Sequence, residues 1–211
     1  MFDINPNIKV RTEYIENSPM YYMDDFYENP EEIVHYILQT PPYLHKEEDH
    51  PSYNGVYFLD MRHDLDCEIP HVYEYLSKIC GQRPIQTNVR TNYSRFNSHT
   101  FNNYEENYWW PHLDEGYTAL VYLNKDDEVN GTNIYKCLED SEEDVRRTTN
   151  EHYSPWRPKK CYELVKSIKP RYNTCIMFDA NSYLHGQTVS NKKYFGKNFR
   201  LNQALFFESY N

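Results

Sequence analysis

Apolar residues recur at helical spacing in only a few stretches of the chain. Asn29-Pro30-Glu31-Glu32 reads as a helix start: a capping Asn, Pro at the first helical position and acids in the first turn. Ile33, Tyr36 and Ile37 follow as one apolar face, and Pro41-Pro42 ends the element. A second helix is predicted from about Pro70 to Cys80 through Val72, Tyr75, Leu76 and Ile79, stopped by Gly81. A third, short one is predicted over about Lys159 to Ile168.

The other apolar runs are short and suit strands. Ile8-Lys9-Val10 predicts an edge strand, Tyr21 to Phe26 a short strand entering a turn, and Val56 to Leu59 a brief one. Gln86 to Phe96 alternates loosely. Tyr117 to Leu123 is a continuous apolar run, and Asn130-Gly131-Thr132-Asn133-Ile134-Tyr135 reads as a turn entering a strand. Arg171 to Asp179 has Cys175-Ile176-Met177-Phe178 as its apolar centre, and Asn198 to Glu208 is the last strand. Residues 43–55 and 138–158 are polar or charged loops. Helices ahead of a run of short strands predict an α+β fold, with helices packed on an antiparallel β-barrel or sandwich.

Composition narrows this picture. At 211 residues the chain predicts a single domain, and with 22 Tyr and 17% aromatics its core should be aromatic-rich. No stretch approaches the roughly 20 apolar residues that span a bilayer. The start, Met1-Phe2-Asp3-Ile4-Asn5-Pro6, lacks the basic and apolar regions of a signal peptide, so the expectation is a soluble, cytoplasmic protein. A formal charge of −10 argues against sequence-independent nucleic-acid binding, which the short basic run Arg157-Pro158-Lys159-Lys160 does not overturn. The five cysteines are widely spaced with no C-x-x-C and read as reduced thiols.

The candidate chemistry centres on Trp109-Trp110-Pro111-His112-Leu113-Asp114-Glu115-Gly116. In a strand, His112 and Asp114 project side by side. They make two thirds of a 2-His-1-carboxylate facial triad, which leaves open positions on a non-haem Fe(II) for a cosubstrate and O2. The best third ligand is His185, 73 residues later. His63-Asp64-x-Asp66 is a rival acidic cluster that reads as a solvated loop, as do His45, His50 and His152. Trp109 and Trp110 read at least as well as aromatic core as they do as pocket wall. Asn88, Arg90, Tyr93 and Arg95 precede the motif in a register that sequence does not fix.

Taken in order, His112-x-Asp114, His185 and Arg200 resemble the iron(II)/2-oxoglutarate dioxygenase superfamily, and its prolyl-4-hydroxylase-like branch in particular. Val121-Tyr122-Leu123-Asn124 is similar to that branch's strand after the His-x-Asp, and Asn130-Gly131-Thr132 to its Gly-rich turn. Cys175 to Asp179 ahead of Leu184-His185-Gly186 resembles the strand and loop that deliver the distal His. Arg200 to Phe207 resembles the final strand. The resemblance covers roughly residues 86–208.

The resemblance implies a double-stranded β-helix (jelly roll) over residues 84–211, supported by helical and irregular residues 1–83 with the N-terminal helices on one sheet. It implies Fe(II) on His112, Asp114 and His185, and 2-oxoglutarate as cosubstrate. Arg200 would pair with the distal carboxylate of 2-oxoglutarate and Tyr122 would hydrogen-bond it. The activity implied is hydroxylation of an unactivated C–H, with succinate and CO2 as co-products, on a small-molecule or peptidyl substrate. Loops 43–55 and 138–158 are candidates for a lid. His185 and Arg200 are 15 residues apart, so Asn191 to Asn198 must loop out, which brings Lys192, Lys193 and Lys197 into contention for the carboxylate role. Two other readings remain: a cupin-like metalloenzyme without 2-oxoglutarate, and a non-catalytic jelly-roll binding module.

Overall fold

The computed structural model describes residues 1–39, 43–44, 58–65, 69–81, 83–84, 89–96, 104–125, 131–138, 156–190 and 200–208. Among these, sixteen elements follow one another. A hairpin, β1 (Val10–Ile15) and β2 (Ser18–Met23), leads to helix α1 (Pro30–Gln39), then β3 (Tyr43–Leu44) and β4 (Phe58–Leu65). Helix α2 (Pro70–Cys80), β5 (Arg83–Pro84), β6 (Val89–Phe96) and β7 (Asn107–Trp109) follow. The second half is β8 (Tyr117–Tyr122), β9 (Thr132–Cys137), β10 (Trp156–Pro158), β11 (Tyr162–Ile168), β12 (Cys175–Asp179), β13 (Leu184–Gln187) and β14 (Arg200–Glu208).

The strands form a large sheet ordered β1-β2-β12-β8-β14-β6-β4-β3, with β5 also on β14, and a small sheet ordered β11-β9-β13. A two-stranded ribbon joins β7 to β10. From β8 onward the chain alternates between layers: β8 lies in the large sheet, β9 and β11 in the small, β12 in the large, β13 in the small and β14 in the large. Every pairing is antiparallel.

Strand β8 shows how the sequence builds this core. Apart from Thr118 its run is apolar or aromatic, because both faces are covered. Ala119 and Val121 face one way, against Ile33 and Ile37 of α1 and Val72, Tyr73 and Leu76 of α2. Leu120 and Tyr122 face the other, against Ile134 of β9 and Ile168 of β11. The helices thus occupy one side of the large sheet and the small sheet the other. Both helices begin at the predicted Pro residues, and Gly81 ends α2 at φ +72°, a left-handed cap that Gly adopts without a Cβ clash. No helix among the described residues is long and apolar enough to cross a membrane. Cys80, Cys137, Cys161 and Cys175 are free thiols.

Several expectations need correction. The helix predicted over Lys159 to Ile168 is instead one tight turn, Lys159–Cys161, followed by strand β11. Tyr162, Val165 and Ile168 mimic a helical period, but a register shift between Leu164 and Lys166 opposite β9 is the true cause of that spacing. It turns Tyr162 to the outer face with Tyr108 and Tyr135, while Ile168 faces inward. Residues 62–64, read as solvated loop, continue β4, whose eight residues pair with β6 from Phe58↔Phe96 to Leu65↔Val89. The first edge strand begins at Val10 rather than spanning Ile8 to Val10. Of the loops expected over 43–55 and 138–158, Tyr43–Leu44 and Trp156–Pro158 are instead strands β3 and β10, while 45–55, 139–155 and Asn191 to Asn198 with its three lysines lie outside the described residues.

Candidate metal centre

Three chain segments converge at one end of the small sheet. His112 forms an isolated bridge with His185 of β13 through two backbone hydrogen bonds, each 2.9 Å. Two residues on, the Asp114 N–H donates to the Ala180 carbonyl at 3.2 Å. The Ala180 N–H in turn donates to Gly116 O at 2.8 Å, where Gly116 takes φ +75° and turns the chain into β8. His112 and Asp114 therefore stand in an extended bridge segment ahead of β8 rather than within a strand. Their side chains still point the same way.

The ligand atoms of His112, Asp114 and His185 lie within 4.8 Å of one another. Asp114 Oδ2 is 3.7 Å from His112 Nε2 and 3.4 Å from His185 Nε2, and the two imidazole centroids are 4.4 Å apart. Neighbouring ligands on an ion about 2.1 Å from each donor would sit about 3 Å apart, so closing on a metal needs only small adjustments. His185 is buried, whereas the side chains of His112 and Asp114 keep 29% and 33% of their surface exposed. The group is therefore open on one side.

Hydrogen bonding fixes what these atoms can do. His112 Nδ1 lies 2.7 Å from the Trp110 carbonyl, and His185 Nδ1 lies 3.1 Å from the Tyr183 carbonyl. A carbonyl only accepts, so each Nδ1 carries the proton and a neutral ring keeps its lone pair on Nε2. Both lone pairs then face a carboxylate, and acceptors aimed at acceptors call for a cation. Burial would raise the pKa of Asp114, but in acid, where the imidazoles gain a proton on Nε2, their hydrogen bonds and charge outweigh it and hold the carboxyl well below the usual range. Burial, then the neighbouring His112, push His185 below its ordinary value against the pull of Asp114, so that ring is neutral.

Tyr122 and Arg200 lie on adjacent strands of the large sheet. Tyr122 is paired with Asn202, two residues past Arg200, and faces the space between the sheets. Its phenol meets the Thr132 hydroxyl at 2.8 Å, and burial raises its pKa although that bond and the Arg200 charge oppose the rise. Thr132 and Asn202 fall within motifs read from the sequence but carry no role of their own there. Asn202 is 2% exposed and its Oδ1 has no hydrogen-bond partner among the described residues. Only the cross-strand register brings either one to notice. That register also pairs Arg90 with Ala204 and Tyr93 with Leu201. Asn88, Asp66, His45, His50 and His152 lie outside the described residues. Trp109 is buried and Trp110 half-buried, its indole edge-on to His112 at 6.0 Å between centroids.

A helix-backed two-sheet β fold carrying a half-open His-Asp-His group defines a candidate metalloprotein. The chain belongs to the Family of unknown function (DUF6445), whose model matches residues 5–201. No curated protein sequence matches it. Among solved structures it is similar to the crystal structure of an oxidoreductase of the 2OG-Fe(II) oxygenase family from Burkholderia pseudomallei. The identity is 13% and the TM-score 0.46, over 91% of this chain and 85% of that one.

Proposed function

We propose that this protein is an Fe(II)/2-oxoglutarate-dependent oxygenase of the prolyl-4-hydroxylase-like kind, hydroxylating an unactivated C–H of a small-molecule or peptidyl substrate. The observation that carries the reading is the convergence of three lone-pair donors, two imidazole nitrogens and one carboxylate, with one side left open. The alternation of β8 to β14 between two sheets supports a double-stranded β-helix, in which such a group sits at the mouth between layers.

His112, Asp114 and His185 would hold the iron, with Trp110 and Tyr183 carbonyls keeping both rings in the ligating tautomer. Arg200 would anchor the distal carboxylate of 2-oxoglutarate through its planar fork of donors. Tyr122, held by Thr132, would lend a phenol to the same carboxylate. When bound, iron and 2-oxoglutarate with O2 supply the oxidation, giving succinate and CO2.

Anaerobic addition of Fe(II) and then 2-oxoglutarate to metal-free protein tests this. The expected result is a visible metal-to-ligand charge-transfer band, lost in His112→Ala and Asp114→Ala and needing far more 2-oxoglutarate in Arg200→Ala. Iron binding without a band would move the reading to a metalloenzyme that does not use 2-oxoglutarate. No iron binding would leave a binding module.

A further inference from the structure

Outside the three ligands, the backbone strain nearest the site lies at Trp110. Its φ is +42°, a region that L residues with side chains rarely occupy. Pro111 follows it, which further restricts the residue before it. Two close approaches lie against this conformation.

The first involves β13. A Cβ built on Gly186 would lie 2.5 Å from the Trp109 carbonyl oxygen and 2.9 Å from that of Trp110. Both are backbone atoms and cannot swing aside. Gly186 takes no positive φ, so what it supplies is room. It lets the strand bearing His185 close directly on Trp109-Trp110. The second involves the ring of His112, whose Nδ1–H donates to the Trp110 carbonyl at 2.7 Å, against 3.1 Å for the equivalent bond of His185. Both rings use the carbonyl two residues upstream. For His185 that carbonyl belongs to Tyr183, whose own phenol is tied to Ile15 O and Ser18 O. For His112 the carbonyl belongs to a residue held in the left-handed region.

We propose that Trp110 and Gly186 are positioning residues: Gly186 seats β13 on the Trp109-Trp110 backbone, and the left-handed Trp110 aims its carbonyl at His112 Nδ1, so that one seam orients both imidazoles toward a shared ion. The assignment rests on the triad being a metal site. It lies in the backbone of Trp110 and not in its indole.

Two substitutions that both delete the indole separate these roles. Asn tolerates the left-handed region, whereas β-branched Val does not. In metal-free protein, long-range nitrogen–proton spectra of the histidine rings should show the proton on Nδ1 of His112 in wild type and in Trp110→Asn, and a tautomer mixture in Trp110→Val. Co(II), followed by its visible absorption, should bind Trp110→Asn within about threefold of wild type and Trp110→Val at least about tenfold more weakly, the range expected for a lost partner behind a ligand. Gly186→Ala should show the same loss and faster amide exchange at His112 and His185. If Asn and Val lose equally, the indole is what matters; if neither loses, the strain has no role at the site. Either result overturns the proposal. Should wild type bind no metal, the metal reading fails, while the tautomer spectra still judge the seam.

Discussion

Asp114, sandwiched between two imidazoles, governs how acid should act on the metal-free protein. His185 is neutral in the fold with its pKa held below the ordinary 6.5. An unfolded chain therefore binds a proton there that the native state refuses, and stability falls as pH falls through about 6.5. Asp114 is depressed below 3.8, so its contribution is present above that value and is lost in a second stage beneath it. Denaturant midpoints between pH 8 and 5 should decline more steeply for wild type than for His185→Ala; equal slopes would refute the assignment. The convergence of His112, Asp114 and His185 is legible in sequence because residue type alone marks a possible donor, and their order adds the rest. Trp110 and Gly186 are not, because what they contribute is a carbonyl direction and an absent Cβ.

Among the elements, the turn before β12 repays a closer look. Asn173 is buried at φ +58° and its side chain bridges Tyr27, accepting from Tyr27 N–H at 2.9 Å and donating to Tyr27 O at 2.8 Å. Its own N–H donates to Tyr122 O at 2.8 Å and its carbonyl accepts from Phe26 N–H at 2.8 Å. One residue therefore ties the lead-in to α1 to the end of β8. Asn173→Ala would remove its hydrogen bonds to two buried backbone groups and put a Cβ-only residue in the left-handed region, so it should cost about 2–4 kcal/mol in denaturant unfolding. A loss under about 1 kcal/mol would contradict this account. The two helices, β8, β12 and β14 could be read from sequence because periodicity and end signals agreed there. Strand β11 could not, because a bulge breaks its alternation, and of β4 only the start at Phe58 and Leu59 could, because its polar residues 62–64 gain their strand from the neighbours β3 and β6.

At the scale of the whole molecule, tyrosine dominates. Burial raises the pKa of Tyr117 to about 12 and pushes Tyr122 and Tyr135 further in the same direction. The folded state thus holds protons that an unfolded chain releases near pH 10, so stability is intact below that value and is lost as pH climbs from about 10 toward 12. Phenolate absorbance of the native protein should lag behind that of the denatured chain while the denaturant midpoint falls. A midpoint unchanged over this range would count against the packing described. Two layers and the helices behind one of them followed from element order; the pairing of strands did not, since partners such as β2 and β12 meet across some 150 residues.

The bridge between His112 and His185 has a consequence in time. It closes a span of 73 residues and joins segments that no local contact brings together, so it belongs among the slow, late events of folding. Before that closure neither half of the group can grip an ion. On the reading proposed above, an ion can be held only once the two distant segments have met, so loading would report that assembly is finished.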